Sequence, residues 1–519
     1  MILLGLGLYF GFHALWFSSP ESPGASAGEA HHGEGHHHHS DTHHHEHGVY
    51  HHAAVITDSE ICSTFAKEIL VEGGNAVDAG VAAMFCLGVV HPHSSGIGGV
   101  LSAVFYNGSS GTTKALNALP TESLNPSIGA PMMLQGLRLI HQKYGKLGWA
   151  KLLRRPVKLA REGFPIDELL AGAMREVAVL GTDLCPPLCE RGQAPKGVGA
   201  LAINRKLADV LEELVQEMEG AWFPEPLARH VARDLRQDPQ ALAVTLKRQE
   251  ADLAEPLAAE FDGFALTVPP PPAAGDVLIQ LTTRLSQLSL SWANVSNAAN
   301  ASSTYQAILN VAQQVYQSLL GLPRLVPGNP RNPGKGKHSP KAAPSGSHVT
   351  VVDTSGNILA MLGSLNSTFG SRTLSPSTGI FLSDFIGSRA SGVLYWACPG
   401  LLSAKAGDDL MVILSAGGAT APFASAQAIV NMVYLEKSAK EAVAGPRFYL
   451  SVGEQGALRK CVSGLRSDSQ IFARLSQVDP DLELVNGTAA PVTVTVVESH
   501  LGHKRAFGQP QTRAFADGY

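Results

Sequence analysis

Residues 345–371, S-G-S-H-V-T-V-V-D-T-S-G-N-I-L-A-M-L-G-S-L-N-S-T-F-G-S, constrain the fold of this chain more than any other stretch. Residues 348–353 alternate and are β-branched, residues 353–357 carry turn chemistry, and residues 358–365 form a second apolar run. β-Branched residues suit a pleated surface, and Asp, Ser, Gly and Asn between two such runs close a hairpin. A hairpin by itself says little about chemistry. What surrounds it decides how much function it carries.

The chain has 519 residues, enough for a large core in one large or two ordinary domains. Apolar residues make up 45% and charged residues 16%, so most of it is globular. The net charge is −5, and no basic face stands out in the sequence, which argues against a nucleic-acid partner.

Residues 2–17 are apolar apart from glycines and His13. The run is short for a spanning helix, which needs about 20 residues. It lacks the basic n-region and small-residue cleavage site of a signal peptide. It reads as a signal-anchor whose cytoplasmic tail is absent from this sequence. Residues 18–52 are polar and hold twelve of the 21 histidines. Such a tract forms no core and is expected to be a disordered stalk. Neutral imidazole suits Zn²⁺ or Cu²⁺ loosely, yet no fixed ligand spacing marks a defined metal site. Sequons at Asn107, Asn294, Asn300, Asn366 and Asn486 fit an extracellular or luminal ectodomain.

The globular part opens at Ala53 with a short strand running into a helix that carries Cys62. Gly73-Gly74-Asn75-Ala76 makes a turn before an Ala-rich helix over 77–86. A zinc or redox reading of Cys185-Pro-Pro-Leu-Cys189 is weak, because Pro-Pro favours a turn and no second ligand pair appears.

The motifs H-V-T-V-V-D, S-L-N-x-x-F-G-S and S-P-x-x-G-I resemble the start of the small chain of the gamma-glutamyltransferases, or glutathione hydrolases. These are N-terminal-nucleophile hydrolases. A second block, G-G-N-A-V-D-A followed by H-S-S-G-I-G-G, resembles the same family, as do L-S-A-G-G, G-P-R-F and the terminal A-D-G-Y. V-Y-H-H-A-A-V-I-T and S-P-S-T-G-I are most similar to its divergent, membrane-anchored type 6 and type 7 branch. The resemblance implies an α/β fold, a four-layer αββα sandwich behind a short N-terminal membrane anchor. It divides the chain into an anchor (1–17), the stalk (18–52), a large-chain-like region (53–344, with a linker at 323–344) and a small-chain-like region (345–519). It implies a single-pass type II protein that cleaves or transfers the γ-glutamyl group of glutathione or related compounds, without metal or other cofactor. It also implies disulfides Cys62–Cys86 and Cys185–Cys189, which belong to an oxidising compartment.

Residue by residue, the resemblance is incomplete. The family cuts itself before the Thr of Thr-x-His, and that Thr then serves as nucleophile. His348 is the histidine, so the nucleophile position falls on Gly346. Ser345 and Ser347 flank it, and strand alternation turns either hydroxyl away unless the strand bulges or slips. Leu119 stands where the family's arginine clamps the substrate carboxylate. Asp384 alone is left of the acidic pair that holds the substrate amine, and Tyr395-Trp396 replaces a serine pair. Ser364, Asn366 and the oxyanion glycines Gly417 and Gly418 remain. The expected outcome is weak or lost activity. The competing reading is a non-catalytic, membrane-anchored ectodomain that binds a protein partner.

Overall fold

The computed structural model describes residues 48–217, 225–320, 346–386, 395–405, 409–452, 458–485, 492–500, 503–509 and 514–519. The strands that build its two large sheets are β1 (Val49–Tyr50), β2 (Ala54–Thr57), β3 (Val100–Asn107), β4 (Thr112–Ala118), β5 (Asp252–Ala254), β6 (Leu257–Phe261), β7 (Phe264–Val268), β8 (Ser347–Val352), β9 (Ile358–Ser364), β10 (Gly400–Ala404), β11 (Leu410–Ala416), β12 (Thr493–His500), β13 (His503–Gly508) and β14 (Phe515–Gly518). The helices that matter here are α1 (Glu60–Val71), α2 (Ala76–Val90), α3 (Met133–Tyr144), α4 (Glu168–Glu176), α5 (Gly275–Ser286), α6 (Ala298–Leu320) and α7 (Ala421–Val433).

One seven-stranded sheet has the order β5-β4-β3-β9-β8-β2-β14, and the other the order β1-β13-β12-β11-β10-β7-β6. Alternation along each strand sorts the apolar residues into three layers. Val349, Val351, Leu359 and Met361 join a core shared with α1, α2 and α3. Ile56, Val352, Leu362, Leu414 and Val497 fill the space between the sheets. Leu266, Ile413 and Val496 join a third core with α5, α6 and α7. The stacking is therefore helices, sheet, sheet, helices. The hairpin β8–β9 lies inside the first sheet, between β2 and β3, so the large-chain-like and small-chain-like regions share one sheet.

The hairpin turn and α2 are bound together by one carboxylate. Asp353 Oδ1 accepts from the backbone N–H of Ser355 at 2.8 Å and of Asn357 at 3.0 Å, closing the turn. Its Oδ2 accepts from the N–H of Ala76 at 2.9 Å, at the first turn of α2. A helix N-terminus leaves N–H groups unsatisfied and favours negative charge. Asn75 and Asp78 complete the cap, with Asn75 Oδ1 accepting from Val77 and Asp78, and Asp78 accepting from Asn75 N, each at 3.0 Å. The small residues of α2 allow close packing on the hairpin. A Cβ at Gly80 would lie 2.6 Å from Leu359 Cδ2.

The stalk expected over 18–52 ends sooner than its polarity suggested. Val49 and Tyr50 pair with Arg505 and Lys504 of β13. A two-residue strand has no periodicity to read, and the sheet edge that recruits it lies far along the chain. The anchor, most of the stalk, the linker, Ser345 and Asn486 fall outside the described residues. Among the described residues, no helix is long and apolar enough to cross a membrane.

Both disulfides are formed. Cys62–Cys86 ties α1 to α2 with a Cα–Cα distance of 5.6 Å, and Cys185–Cys189 closes a small loop. Cys398 and Cys461 are free thiols. Non-reducing peptide mapping should recover both bridges and leave Cys398 and Cys461 alkylatable after unfolding. Replacing Cys62 and Cys86 by Ala should lower unfolding stability by about 2–4 kcal/mol, read from a denaturant midpoint. Free thiol at Cys62 or Cys86 in the folded protein would contradict this assignment.

Candidate functional site

Gly346 immediately precedes β8. A Cβ placed there would lie 3.1 Å from the carbonyl oxygen of Gly363 and 3.6 Å from Leu362 Cδ1. Leu362 belongs to the layer between the sheets, so the missing side chain would point into that layer. The 3.1 Å contact is tighter than real Cβ contacts usually are, so a side chain there would require the Gly363 carbonyl to give by a few tenths of an ångström. Ser347 is the next residue, and alternation turns it to the other face. It is fully buried, with its hydroxyl 2.6 Å from Ser94 Oγ.

Four segments meet beside this strand end in a buried chain of acids and imidazoles. Asp58 follows β2, His91 caps the C-terminus of α2, Asp167 caps the N-terminus of α4, and His348 lies in β8. His91 Nε2 is 2.8 Å from Asp167 Oδ2, and its Nδ1 is 3.6 Å from Asp58 Oδ2. Asp58 Oδ1 accepts from the backbone N–H of His348 and lies 2.9 Å from His348 Nδ1. Burial is the largest influence on His91 and disfavours its charge. A hydrogen bond to Asp167 and the charges of Asp167 and Asp58 outweigh it and raise the imidazole to about 10. Burial likewise opposes charge on both acids, and the imidazoles overcome it, holding both below the usual carboxylate range. His93, whose ring centre is 5.2 Å from that of His91, is pushed down to about 3 by burial and then by the charge on His91.

The sequence contained H-P-H-S-S and T-D-S-E but assigned these groups no role. A signal existed in two histidines at a helix end, but their carboxylate partners lie tens of residues away or more.

At the far end of β9, three of the expected residues do come together. Ser364 Oγ accepts from the N–H of Asn366 at 2.7 Å, and Asn366 Nδ2 donates to Asp384 Oδ1 at 3.2 Å. Ser367, not singled out from the sequence, donates its N–H to Oδ1 at 3.0 Å and its hydroxyl to Oδ2 at 2.6 Å. The remaining acid is thus held by the protein itself. Asn366 has φ +78, a conformation Asn tolerates better than most residues.

Leu119 is buried in the layer between the sheets, in the same apolar cluster as Leu362, Phe385 and Tyr395. The phenol of Tyr395 donates to the carbonyl of Leu362 at 3.2 Å, and burial raises its pKa well above the usual tyrosine range. Trp396 stacks on Tyr316, with ring centres 6.3 Å apart, and the Tyr316 hydroxyl donates to the carbonyl of Ala419. Gly417 and Gly418 follow β11 directly, and Gly418 has φ +62, which leaves the turn open to glycine at little cost. Tyr395 and Trp396 therefore bridge from the hairpin, next to Gly346, to the turn that carries the glycine pair.

Of the sequons, Asn107 sits at the β3–β4 turn, where its Oδ1 accepts from Ser109 and Ser110. Asn294 is partly exposed and Asn300 exposed.

The gamma-glutamyltranspeptidase family model matches residues 62–125, 119–319 and 323–391. Among curated proteins, glutathione hydrolase 6 of Mus musculus is 34% identical over 373 residues, covering 70% of this chain and 65% of that protein. The chain thus spans just under two thirds of that relative's length. Glutathione hydrolase 6 of Bos taurus is 33% identical over 412 residues, covering 79% of this chain and 73% of the relative. Among solved structures, the cephalosporin acylase of Bacillus halodurans superimposes with a TM-score of 0.74 at 17% identity, over 97% of this chain and 99% of that one. This last likeness is one of fold.

The buried network gives stability a definite pH dependence. His91 has a folded pKa above its ordinary 6.5, so its contribution is complete below about 6.5 and is lost as pH rises toward about 10. Asp58 and Asp167 are depressed, so theirs is present above the carboxylate range and lost in acid. His93 is held neutral, so its contribution also falls as pH drops below about 6.5. Urea unfolding across pH should show greatest stability near neutrality. His91→Asn should flatten the alkaline limb between about pH 6.5 and 10, where Asp58 and Asp167 keep their charge.

Proposed function

We propose, for a chain that belongs to the gamma-glutamyltranspeptidase family and groups with its glutathione hydrolase 6 branch, that the hydrolase frame is kept while cleavage of γ-glutamyl bonds is weak or lost. The observation that carries this reading is the pair Gly346 and Ser347. An N-terminal nucleophile needs a hydroxyl or thiol at the residue that faces the site. Gly346 has none, and the Ser347 hydroxyl lies on the opposite face, bonded to Ser94. Self-cleavage fails for the same reason. It would require a side-chain oxygen to take the preceding acyl group from its nitrogen before water releases it.

The binding groups support the same reading. A guanidinium holds a carboxylate by paired, charged hydrogen bonds, each worth roughly 1.5–3 kcal/mol, and the isobutyl group of Leu119 makes none. Asp384 already accepts bonds from Asn366 and Ser367. Tyr395 puts a buried aromatic ring where the family carries a serine. Glutathione or another γ-glutamyl compound is the substrate of the nominal reaction. The competing function is that of a membrane-anchored ectodomain that binds a protein partner. The two disulfides suit an extracellular or luminal setting, and the apolar segment at 2–17 would be its anchor.

The test is direct. Purified full-length protein should release no glutamate from glutathione above a mock preparation, and should migrate as one chain under denaturing conditions. Turnover that disappears in Ser347→Ala or Ser345→Ala would overturn the proposal and identify the nucleophile. So would a fragment beginning at Ser345 or Ser347 that forms without added protease.

A further inference from the structure

Of the large apolar side chains that stay exposed among the described residues, one is aromatic: Trp292, at 50% exposure. It opens a single 3-10 turn, Trp292–Val295, just before α6. The turn is held from its inner side. Val295 packs against the third core, and Thr304 of α6 donates its hydroxyl to the carbonyl of Asn294 at 2.9 Å. Ser291 caps the turn by donating its N–H and its hydroxyl to Asn294 Oδ1, at 2.7 and 2.9 Å. That fixes the orientation of the Asn294 amide. Its oxygen is taken by Ser291, and among the described residues its Nδ2 donates to none.

Asn294-Val295-Ser296 is a sequon, and Ser296 is exposed. The other sequons of the described residues differ. Asn366 Nδ2 donates to Asp384 at 3.2 Å, inside the polar cluster at the end of β9. Asn300 Nδ2 donates to the carbonyl of Ala293 at 3.4 Å, from the first turn of α6. Asn107 lies on a turn whose exposed residues, 109–112, are Ser, Ser, Gly and Thr. Asn294 joins a free amide nitrogen to an exposed ring. In a 3-10 turn, with a rise of about 2 Å and three residues per turn, Cα atoms two residues apart are roughly 5 Å from each other. A sugar ring linked to Nδ2 therefore reaches the indole. One face of N-acetylglucosamine presents C–H groups, and an indole is a large, flat, mostly apolar surface.

We propose that Asn294 carries an N-linked glycan whose first N-acetylglucosamine packs on Trp292. The inference rests on the luminal or extracellular setting proposed above, where the donor is an oligosaccharide carried on a polyprenyl pyrophosphate. In the transfer a bond forms between Asn294 Nδ2 and C1 of the sugar. The bond from C1 to the pyrophosphate oxygen breaks, and Nδ2 gives up a proton as the lipid pyrophosphate leaves. Transfer takes place on the nascent chain, and folding then sets the sugar against the ring.

Full-length protein from cells with a secretory pathway supplies the test. Enzymatic release of N-glycans in heavy-oxygen water, followed by peptide mass mapping, should mark Asn294 in most copies. A double-mutant cycle then reads the contact. Ser296→Ala removes the glycan and keeps Asn294. Covering about 40 Å² of apolar surface corresponds to a shift of about fivefold in the folding equilibrium. Ser296→Ala should therefore lower that equilibrium about fivefold more in the wild-type background than in Trp292→Ala. The hydrogen bond from the Ser296 hydroxyl to the Ala293 carbonyl is lost in both backgrounds and cancels. Trp292→Phe should keep most of the coupling. An unmodified Asn294, or a modified one with no coupling to Trp292, would overturn the proposal. If Asn294 is bare while Cys62–Cys86 is bridged, this proposal alone fails. If those cysteines are also free, the luminal setting fails with it.

Discussion

The Asp58 carboxylate is the contact on which the centre of this molecule depends. It follows β2, accepts the backbone N–H of His348 near the start of β8, and lies between two imidazoles. A buried charge is costly unless it is paired and hydrogen-bonded. Here each charge has partners, and the chain runs Asp167, His91, Asp58, His348. The cost of breaking it exceeds the gain of any one bond, since removing one member leaves an uncompensated charge in the core. The network therefore pins the start of β8, the C-terminus of α2 and the N-terminus of α4 to one another. The strand end beside Gly346 inherits this rigidity.

That separation of frame from chemistry runs through the site. Asp353 binds the hairpin turn to α2, and Gly80 lets the helix lie close to the hairpin. Neither depends on the residue at 346. A side chain at that position would press on the carbonyl of Gly363, so the close approach of β9 favours glycine there. Around it, the layer between the sheets is filled by apolar side chains. Leu119 and Tyr395 are buried together with Leu362 and Phe385 between the sheets. Filling this layer with apolar atoms favours the fold through burial.

How legible this was varies from element to element. The hairpin β8–β9 follows from alternation and turn residues within a few positions of each other, and α2 from small apolar residues behind an Asn cap. The positions of Cys62 and Cys86 came with the family resemblance, and the folded distance between them agrees. The three-residue set Ser364, Asn366 and Asp384 was named from the same resemblance and does converge, but the strongest grip on Asp384 comes from Ser367, which was passed over. The polar tract before Ala53 reads as structureless to its end, yet Val49 and Tyr50 complete a sheet edge.

From the sequence alone come the strand and helix periodicities, the family motifs and the glycine two residues before His348, because each is written in residues close together. Only the tertiary structure decides which face Ser347 presents, which acids meet His91, and that Val49 and Tyr50 pair with β13. Those facts depend on pairings between segments up to several hundred residues apart. No local pattern encodes them; they are set by which strands become neighbours when the apolar layers close.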